Sequence, residues 1–435
     1  MTWLRVSALG LGLLVACDKT VPFENTSPIK MGQTTTPPNM DGGQFVLLDA
    51  SLGSSDGAMG PEIPAESFSR PALLKQIADC TLSRYREFND LAVALQSATV
   101  AWAASPSDSS LAAAQLAWRK AMSSWQRAEP FSFGPAGPAS TAAEVDPGGM
   151  DLRNGIYFYP NINLCLVDQT ILKSGYTKLP LSLDVSAKGL GALEYLMFHG
   201  GPDNACSPAI AINSGSPSPW AMITPSDLAQ RRAAFASALA TDLVNTAKAL
   251  LDAWDPTAGN FYTKFSSAGT SGSIYASDQA AFNTVSNAMF YVGKQLKDSK
   301  LGIPAGLLTD CMTTTCPDRV ESRYSQASND DLLQNLQGFR LLFQGCGGNY
   351  TGLGFDDWLV FANHGDLATR IIAATAVVQQ ATSALPLPLE QQIATNNAAV
   401  VAVHADVIAL YDLLKNEFVS TLSLSVPKVV ASDND

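Results

Sequence analysis

The sequence predicts an all-α fold, and three observations carry that prediction. Strand-like alternation is scarce from residue 70 onward. Apolar stripes recur instead at spacings of three, four or seven residues, the signature of one face of a helix. Ala-rich faces such as Ala233-Ala234 and Ala373-Ala374 allow helices to approach closely. With 435 residues, 46% of them apolar and 15% charged, the chain can bury a large core divided among two or three domains.

The elements follow in chain order. Arg5 gives a positive start, and Val6 to Val15 is an apolar run of about ten residues. That suits a signal-peptide core and falls short of the roughly 20 residues a bilayer span needs. The run ends in Leu14-Val15-Ala16-Cys17, a lipobox pattern. Residues 1–17 are therefore expected to be a lipoprotein signal peptide, with Cys17 lipidated and the lipid bilayer as a partner. The expected location is the bacterial cell envelope, at the outer membrane or the periplasmic face of the inner membrane. Asp18 favours the inner membrane under enterobacterial sorting. Residues 18–70 carry many breakers, Pro37, Pro38, Gly42 and Gly43 among them, and read as a flexible linker.

Helices are expected near 70–104, 108–128 and 184–198, forming an N-terminal bundle over residues 71–201. Pro202 to Pro219 is long and breaker-rich, so 202–225 is read as a connecting loop. A C-terminal bundle over 226–425 follows. Its first helix has a start signal in Thr224, Pro225 and Asp227, and a stripe through Leu228, Phe235, Leu239, Leu243, Leu250 and Trp254. Further helices are expected near 278–298, 328–344 and 366–383. A last stripe runs from Leu389 through Val400, Val407 and Leu414 to Leu422.

Seven cysteines are present, and Cys17 leaves six. An exported chain meets an oxidising milieu, so up to three disulfides are expected. Cys311 and Cys316 are the easiest pair to close, and the other pairings stay open. A net charge of −12 and a pI of about 4.7 argue against a nucleic-acid partner. Acidity suits a solvated body and is compatible with cationic ligands.

Catalytic motifs are thin. The three histidines, His199, His364 and His404, lie far apart, and no His-Glu-x-x-His segment occurs. No Gly-x-Ser-x-Gly elbow or phosphate-binding glycine pattern occurs either. Three acidic residues stand out against their surroundings. Glu194 sits in a helix apolar on nearly every face, where a carboxylate needs a cation or several donors to stay charged. Glu129 closes a helix just before Pro130, and Glu321 lies in a loop after the Cys311/Cys316 pair. Structural partners open to them are Arg119, Arg127, Arg323 or a helix N-terminus. A shared ligand or metal site is the functional alternative.

At these same residues the chain resembles the imelysin family, also described as insulin-cleaving metalloproteinase-like peptidases. Trp118-Arg119 followed by Glu129-Pro130-Phe131-Ser132-Phe133-Gly134 resembles the family's tryptophan and Glu-x-Phe-x-Phe-Gly. Tyr159-Pro160 with Asp168 resembles its Trp-Pro and downstream aspartate. Gly189-Leu190-Gly191-Ala192-Leu193-Glu194 resembles the hallmark Gly-x-His-x-x-Glu, with the histidine falling on Gly191. Glu321 to Ser328, with Asn335 to Gly338 behind it, resembles a second-half segment. The matches span about residues 100 to 345, and Gly354 to Asp357 extends them.

The resemblance implies two helical bundles related by a duplication, with the motif near their junction. It also implies a lipoprotein or periplasmic protein linked to iron uptake. Carried over by residue, Glu129, Glu194, Glu321 and Ser325 become candidate ligand-binding residues. Glu194 and Glu129 become candidate ligands for a divalent or ferric cation. With its histidine position taken by Gly191, the expectation is a binding protein for a metal or small ligand with no catalytic residues. The alternatives are a metal-dependent peptidase recruiting His199 or His364, and a structural surface lipoprotein.

Overall fold

The computed structural model describes residues 68–139, 147–178 and 181–425. Cys17, the signal peptide and the linker as far as residue 67 lie outside the described residues. Among the described residues there are helices and no strand.

Local chemistry sets the helix starts. Helix α1 (Arg70–Ala104) begins where the Ser69 hydroxyl accepts the Ala72 N–H at 3.3 Å, with a proline in the first turn, where its missing N–H costs nothing. In α2 (Asp108–Ala128) Ser107 and Ser110 cap each other's backbone at 3.2 and 3.0 Å. Short helices α3 (Leu152–Ile156) and α4 (Leu164–Lys173) lead to α5 (Gly189–Phe198). Helix α6 (Pro225–Trp254) starts as its sequence signal predicts, Thr224 accepting the Asp227 N–H at 3.2 Å. Helices α7 (Phe261–Ser266) and α8 (Asp278–Met289) follow, then a π-helix (Val292–Gly302). The chain ends its described part with α9 (Ser328–Phe343), α10 (Phe355–Phe361), α11 (Gly365–Ser383) and α12 (Leu389–Asp412), which runs on through a second π-helical turn (Leu413–Phe418) into α13 (Val419–Thr421).

Both stripes read from the sequence are buried along their whole length, from Leu228 to Trp254 and from Leu389 to Leu422. Helix α1 packs on α2 and α6, and α5 packs on α6 and α2. In the second set α9 packs on α11, α11 on α12, and α12 on the Val292–Gly302 π-helix. The two sets meet where α2 lies against α9. Gly338 makes that seam possible, because a Cβ there would stand 2.3 Å from the Arg127 carbonyl oxygen. The breaker-rich segment 202–225 joins α5 to α6, two helices that pack against each other. By length and mean hydropathy of 1.5, Leu389–Thr421 is apolar enough to cross a membrane, a property the sequence reading did not single out. One face, the Leu389 to Leu422 stripe, is packed into the protein interior.

All six described cysteines are paired. Cys80–Cys346 ties α1 to the turn after α9, Cys165–Cys206 ties α4 to the loop after α5, and Cys311–Cys316 closes on itself as expected.

Candidate functional site

Glu194 is placed by the chain around it. Helix α5 can begin at Gly189 because that residue has φ +68° and no Cβ, which would otherwise stand 2.2 Å from the Ile156 carbonyl oxygen. The indole N–H of Trp118 donates to the Leu190 carbonyl at 2.9 Å and fixes α5 against α2. Every residue from Gly189 to Met197 is buried, Glu194 being 6% exposed. Its Oε1 accepts the Ser325 N–H at 2.9 Å and the Ser325 hydroxyl at 2.8 Å. Among the described residues no Lys, Arg or His forms an ion pair with it. Burial raises the carboxyl to about 7, against the pull of the Ser325 hydrogen bonds, and the charge of Glu321 adds to the rise.

Glu194 opens onto a cleft of about 780 Å³. First-half residues Tyr157, Tyr159, Tyr195 and His199 form part of its wall, and the 318–324 loop forms the other. Gly191 lines it as well, but a Cβ built there would stand 2.1 Å from Ile162 Cδ1. Ile162 therefore fills the room beside Glu194 that a side chain at position 191 would need.

Beneath the 318–324 loop lies a fully buried charge network centred on Lys300. Its ammonium group donates to Gln126 Oε1 and Asn335 Oδ1, each at 2.7 Å. It pairs with Glu321 Oε2 at 2.9 Å and Glu129 Oε2 at 3.4 Å. Glu129 also takes Arg153 at 3.1 Å and the Tyr291 hydroxyl. Burial works to raise the Glu129 carboxyl, yet Lys300 and Arg153 together hold it below the ordinary range. Glu321 goes the other way: burial lifts it, Lys300 pulls it back and the Glu129 charge lifts it again. Asp331, buried beside them, is pushed well above the ordinary range by burial and then by the Glu321 charge.

Behind Tyr195 and Ala205, which line the cleft, lies a fully buried carboxyl, Asp168. Asp168 Oδ2 accepts the Tyr195 hydroxyl at 3.0 Å and the Ala205 N–H at 2.7 Å, and burial raises it to about 6. His199 stacks on Tyr195 with centroids 4.8 Å apart, its Nε2 3.3 Å from Asp203. Burial and then the Arg232 charge lower the His199 imidazole below its ordinary range.

The structure thus brings Glu194 and Glu321 to one cleft, while Ser325, which holds Glu194, and Glu129 do not line it. The partners expected from sequence are replaced. Arg119 donates to the Ser325 carbonyl at 2.6 Å, Arg127 pairs with Glu87 at 2.6 Å, and Arg323 sits over the Tyr324 ring at 4.7 Å. Lys300, Gln126 and Asn335 were missed. The signal was a lysine in register with Val292 and Leu296, hidden because the expected helix was ended at residue 298. Residues for a resident catalytic metal do not fit: among the described residues no group of three His, Cys, Asp or Glu side chains is placed to hold one. Glu129, expected beside Glu194 on a metal, is held by Lys300, Arg153 and Tyr291 instead. His364, at the start of α11, does not line the cleft.

The Glu194 pKa makes a prediction. The folded value near 7 lies above the roughly 4.3 of an unfolded chain. The neutral carboxyl's stability is complete below the lower value and is lost as pH rises through the higher one. Glu194→Gln, neutral throughout, is expected to unfold at higher urea than the parent at pH 8, by about 2 to 3 kcal/mol, with no gain at pH 4. Equal stability at pH 8 would show that Glu194 is already compensated.

An all-α protein of two packed helical sets, with a carboxylate-floored cleft between their segments, is the class these observations define. The family profile described as Imelysin matches residues 81–416, and the chain belongs to the imelysin family. An iron-regulated protein A from Synechococcus elongatus is 25% identical over 330 residues, which cover 75% of this chain and 79% of that one. Two crystal structures share the fold. An imelysin-like protein from Psychrobacter arcticum has a TM-score of 0.60 at 14% identity, covering 84% of this chain and 98% of that one. A protein assigned as an iron-regulated protein A precursor from Parabacteroides distasonis has a TM-score of 0.61 at 16% identity, with the same coverages.

Proposed function

We propose that this chain is a lipid-anchored binding protein of the bacterial cell envelope, and that its cleft takes a cation handled in iron uptake. The observation that carries this is Glu194: a buried carboxylate facing a roomy cleft, with no cationic partner among the described residues. A carboxyl held so far from water is charged cheaply only when a cation arrives. The iron-regulated relatives supply the metal, and three disulfides agree with an exported protein. The lipobox at Cys17 supplies the anchor.

Thermal unfolding of the chain with Fe²⁺, Fe³⁺, Zn²⁺, Cu²⁺ and Ca²⁺ tests the reading. A saturable rise of a few degrees is expected with an iron ion, and its loss in Glu194→Gln. No shift with any ion, free or carried in a chelate, would overturn it. Peptidase action is the second reading, favoured by His199 lining the same cleft as Glu194. It requires chelator-sensitive hydrolysis that disappears in His199→Ala.

A further inference from the structure

The donor set of the cleft is poor for a bare metal ion and rich for something larger. Among the described residues no group of three His, Cys, Asp or Glu side chains could encircle an ion. Glu194, Glu321, Asp203, Asp318 and His199 all line the cleft, but no three of them are grouped to share one ion, short of the four to eight donors that hold a metal in protein. The cleft, at about 780 Å³, is many times larger than an ion and falls in the range that encloses small organic ligands.

Two arginines line the same cleft, Arg319 and Arg323. Neither has a carboxylate within ion-pair distance among the described residues, whereas Arg70, Arg84, Arg127, Arg153, Arg231 and Arg370 all do. Arg319 gives one N–H to the Asp310 carbonyl at 3.2 Å. Arg323 gives one to the Asp318 carbonyl at 3.0 Å and one to the Tyr324 hydroxyl at 3.2 Å. A guanidinium has five N–H donors, so each keeps several to offer. Glu194, Glu321, Asp203 and Asp318 line the same cleft, so it offers guanidinium donors for oxyanions beside carboxylates for a cation.

We propose that the ligand is a metal chelate: a cation that brings its own oxygen ligands, with anionic groups at its edge held by Arg319 and Arg323 and its metal-bearing side turned to Glu194. This deepens the cation reading above and rests on it. Fork-shaped guanidinium groups suit carboxylate or catecholate oxygens, and Tyr159, backed by the buried ring of Tyr157 at 6.0 Å, presents an aromatic edge of the cleft to an organic ligand. No bond of the chelate has to break for it to bind.

Calorimetric titration of the full chain tests this with ferric citrate, ferric nitrilotriacetate and a ferric catecholate. The controls are the three metal-free chelators and Fe²⁺ and Zn²⁺ as simple salts. Saturable binding of at least one ferric chelate is expected, tighter than its metal-free chelator and tighter than either simple salt. Arg319→Gln, at an exposed position and expected to leave the unfolding temperature unchanged, and Arg323→Gln, at a half-buried one, should each weaken that binding about ten- to a hundredfold. Simple salts binding as tightly as any chelate, indifferent to both arginine variants, would overturn the chelate and leave the cation reading standing. So would arginine variants that bind the chelate as well as the parent does. Metal-free chelators binding as tightly as their iron forms, or no binding by any chelate or salt, would overturn both.

Discussion

Replacing Lys300 by Met is expected to cost about 3 to 5 kcal/mol at neutral pH, the largest single-residue effect the fold predicts. The side chain is as buried as any in the core, yet four polar groups converge on its ammonium: Gln126, Asn335, Glu321 and Glu129. Methionine keeps most of the volume and removes the charge. Glu129 would keep Arg153 and Tyr291, but Glu321 would keep only the Gln126 amide, 3.0 Å away. An uncompensated buried carboxylate sheds its charge by taking a proton. The sign against pH follows. Without Lys300 the folded Glu321 carboxyl, already raised by burial, rises further above its unfolded value. The stability of that neutral form is present below the unfolded value and is lost as pH climbs through the folded one. The penalty of Lys300→Met should therefore be clearly larger at pH 8 than at pH 5 in urea unfolding. A penalty below about 1 kcal/mol, or one independent of pH, would mean that water or another cation already serves these carboxylates.

The network explains how the two helical sets can specify one another. Gln126 and Glu129 close α2, Asn335 and Asp331 stand on α9, Glu321 sits in the preceding loop, and Lys300 comes from the π-helix. Each element supplies what another lacks, at the seam where Gly338 lets α2 and α9 touch. The loop carrying Glu321 also carries Ser325, whose two hydrogen bonds hold Glu194. A disturbance at Lys300 should thus be felt in the cleft, although Lys300 does not line it.

Sequence alone yielded the helices nearly to the residue where capping chemistry is local. The bounds of α1 and α2 match those expected, and in the structure Ser69 and Ser107 cap their starts. It yielded Glu194 as well, since a carboxylate in an otherwise apolar helix is conspicuous. What it concealed was non-local. The expected helix near 278–298 breaks after Met289 and resumes as a π-helix to Gly302, and π-winding shifts which residues share a face. Lys297 and Lys300 consequently turn inward, where a 3.6-residue period gives no hint of them. The carboxylate partners were likewise sought among arginines near in sequence, whereas the true partner of Glu129 and Glu321 lies 171 residues from the first. Cys80 and Cys346, 266 residues apart, could not be matched by spacing at all, while Cys311 and Cys316 could.

Those disulfides supply the second large effect. Closing a loop restricts the unfolded chain more as the loop lengthens. By that scaling Cys80–Cys346, at a sequence separation of 266, contributes about 5.5 kcal/mol; Cys165–Cys206, at 41, about 4; and Cys311–Cys316, at 5, about 2. Stability and binding should separate along this series. Cys80–Cys346 joins α1 to the turn after α9, and neither cysteine lines the cleft, whereas Cys165 does. Cys206 neighbours Ala205, whose N–H holds Asp168 and through it the Tyr195 hydroxyl. The double variant Cys80→Ala/Cys346→Ala is therefore expected to lose about 4 to 5 kcal/mol in urea unfolding while its remaining folded fraction still responds to ligand. Cys165→Ala/Cys206→Ala should lose somewhat less stability and most of the ligand-induced thermal shift, because the cleft wall is no longer tied. If both variants kept the same shift, the wall between α4 and the 202–206 loop would have no part in binding. Binding would then rest on Glu194, held in place by Ser325, and on the 318–324 loop.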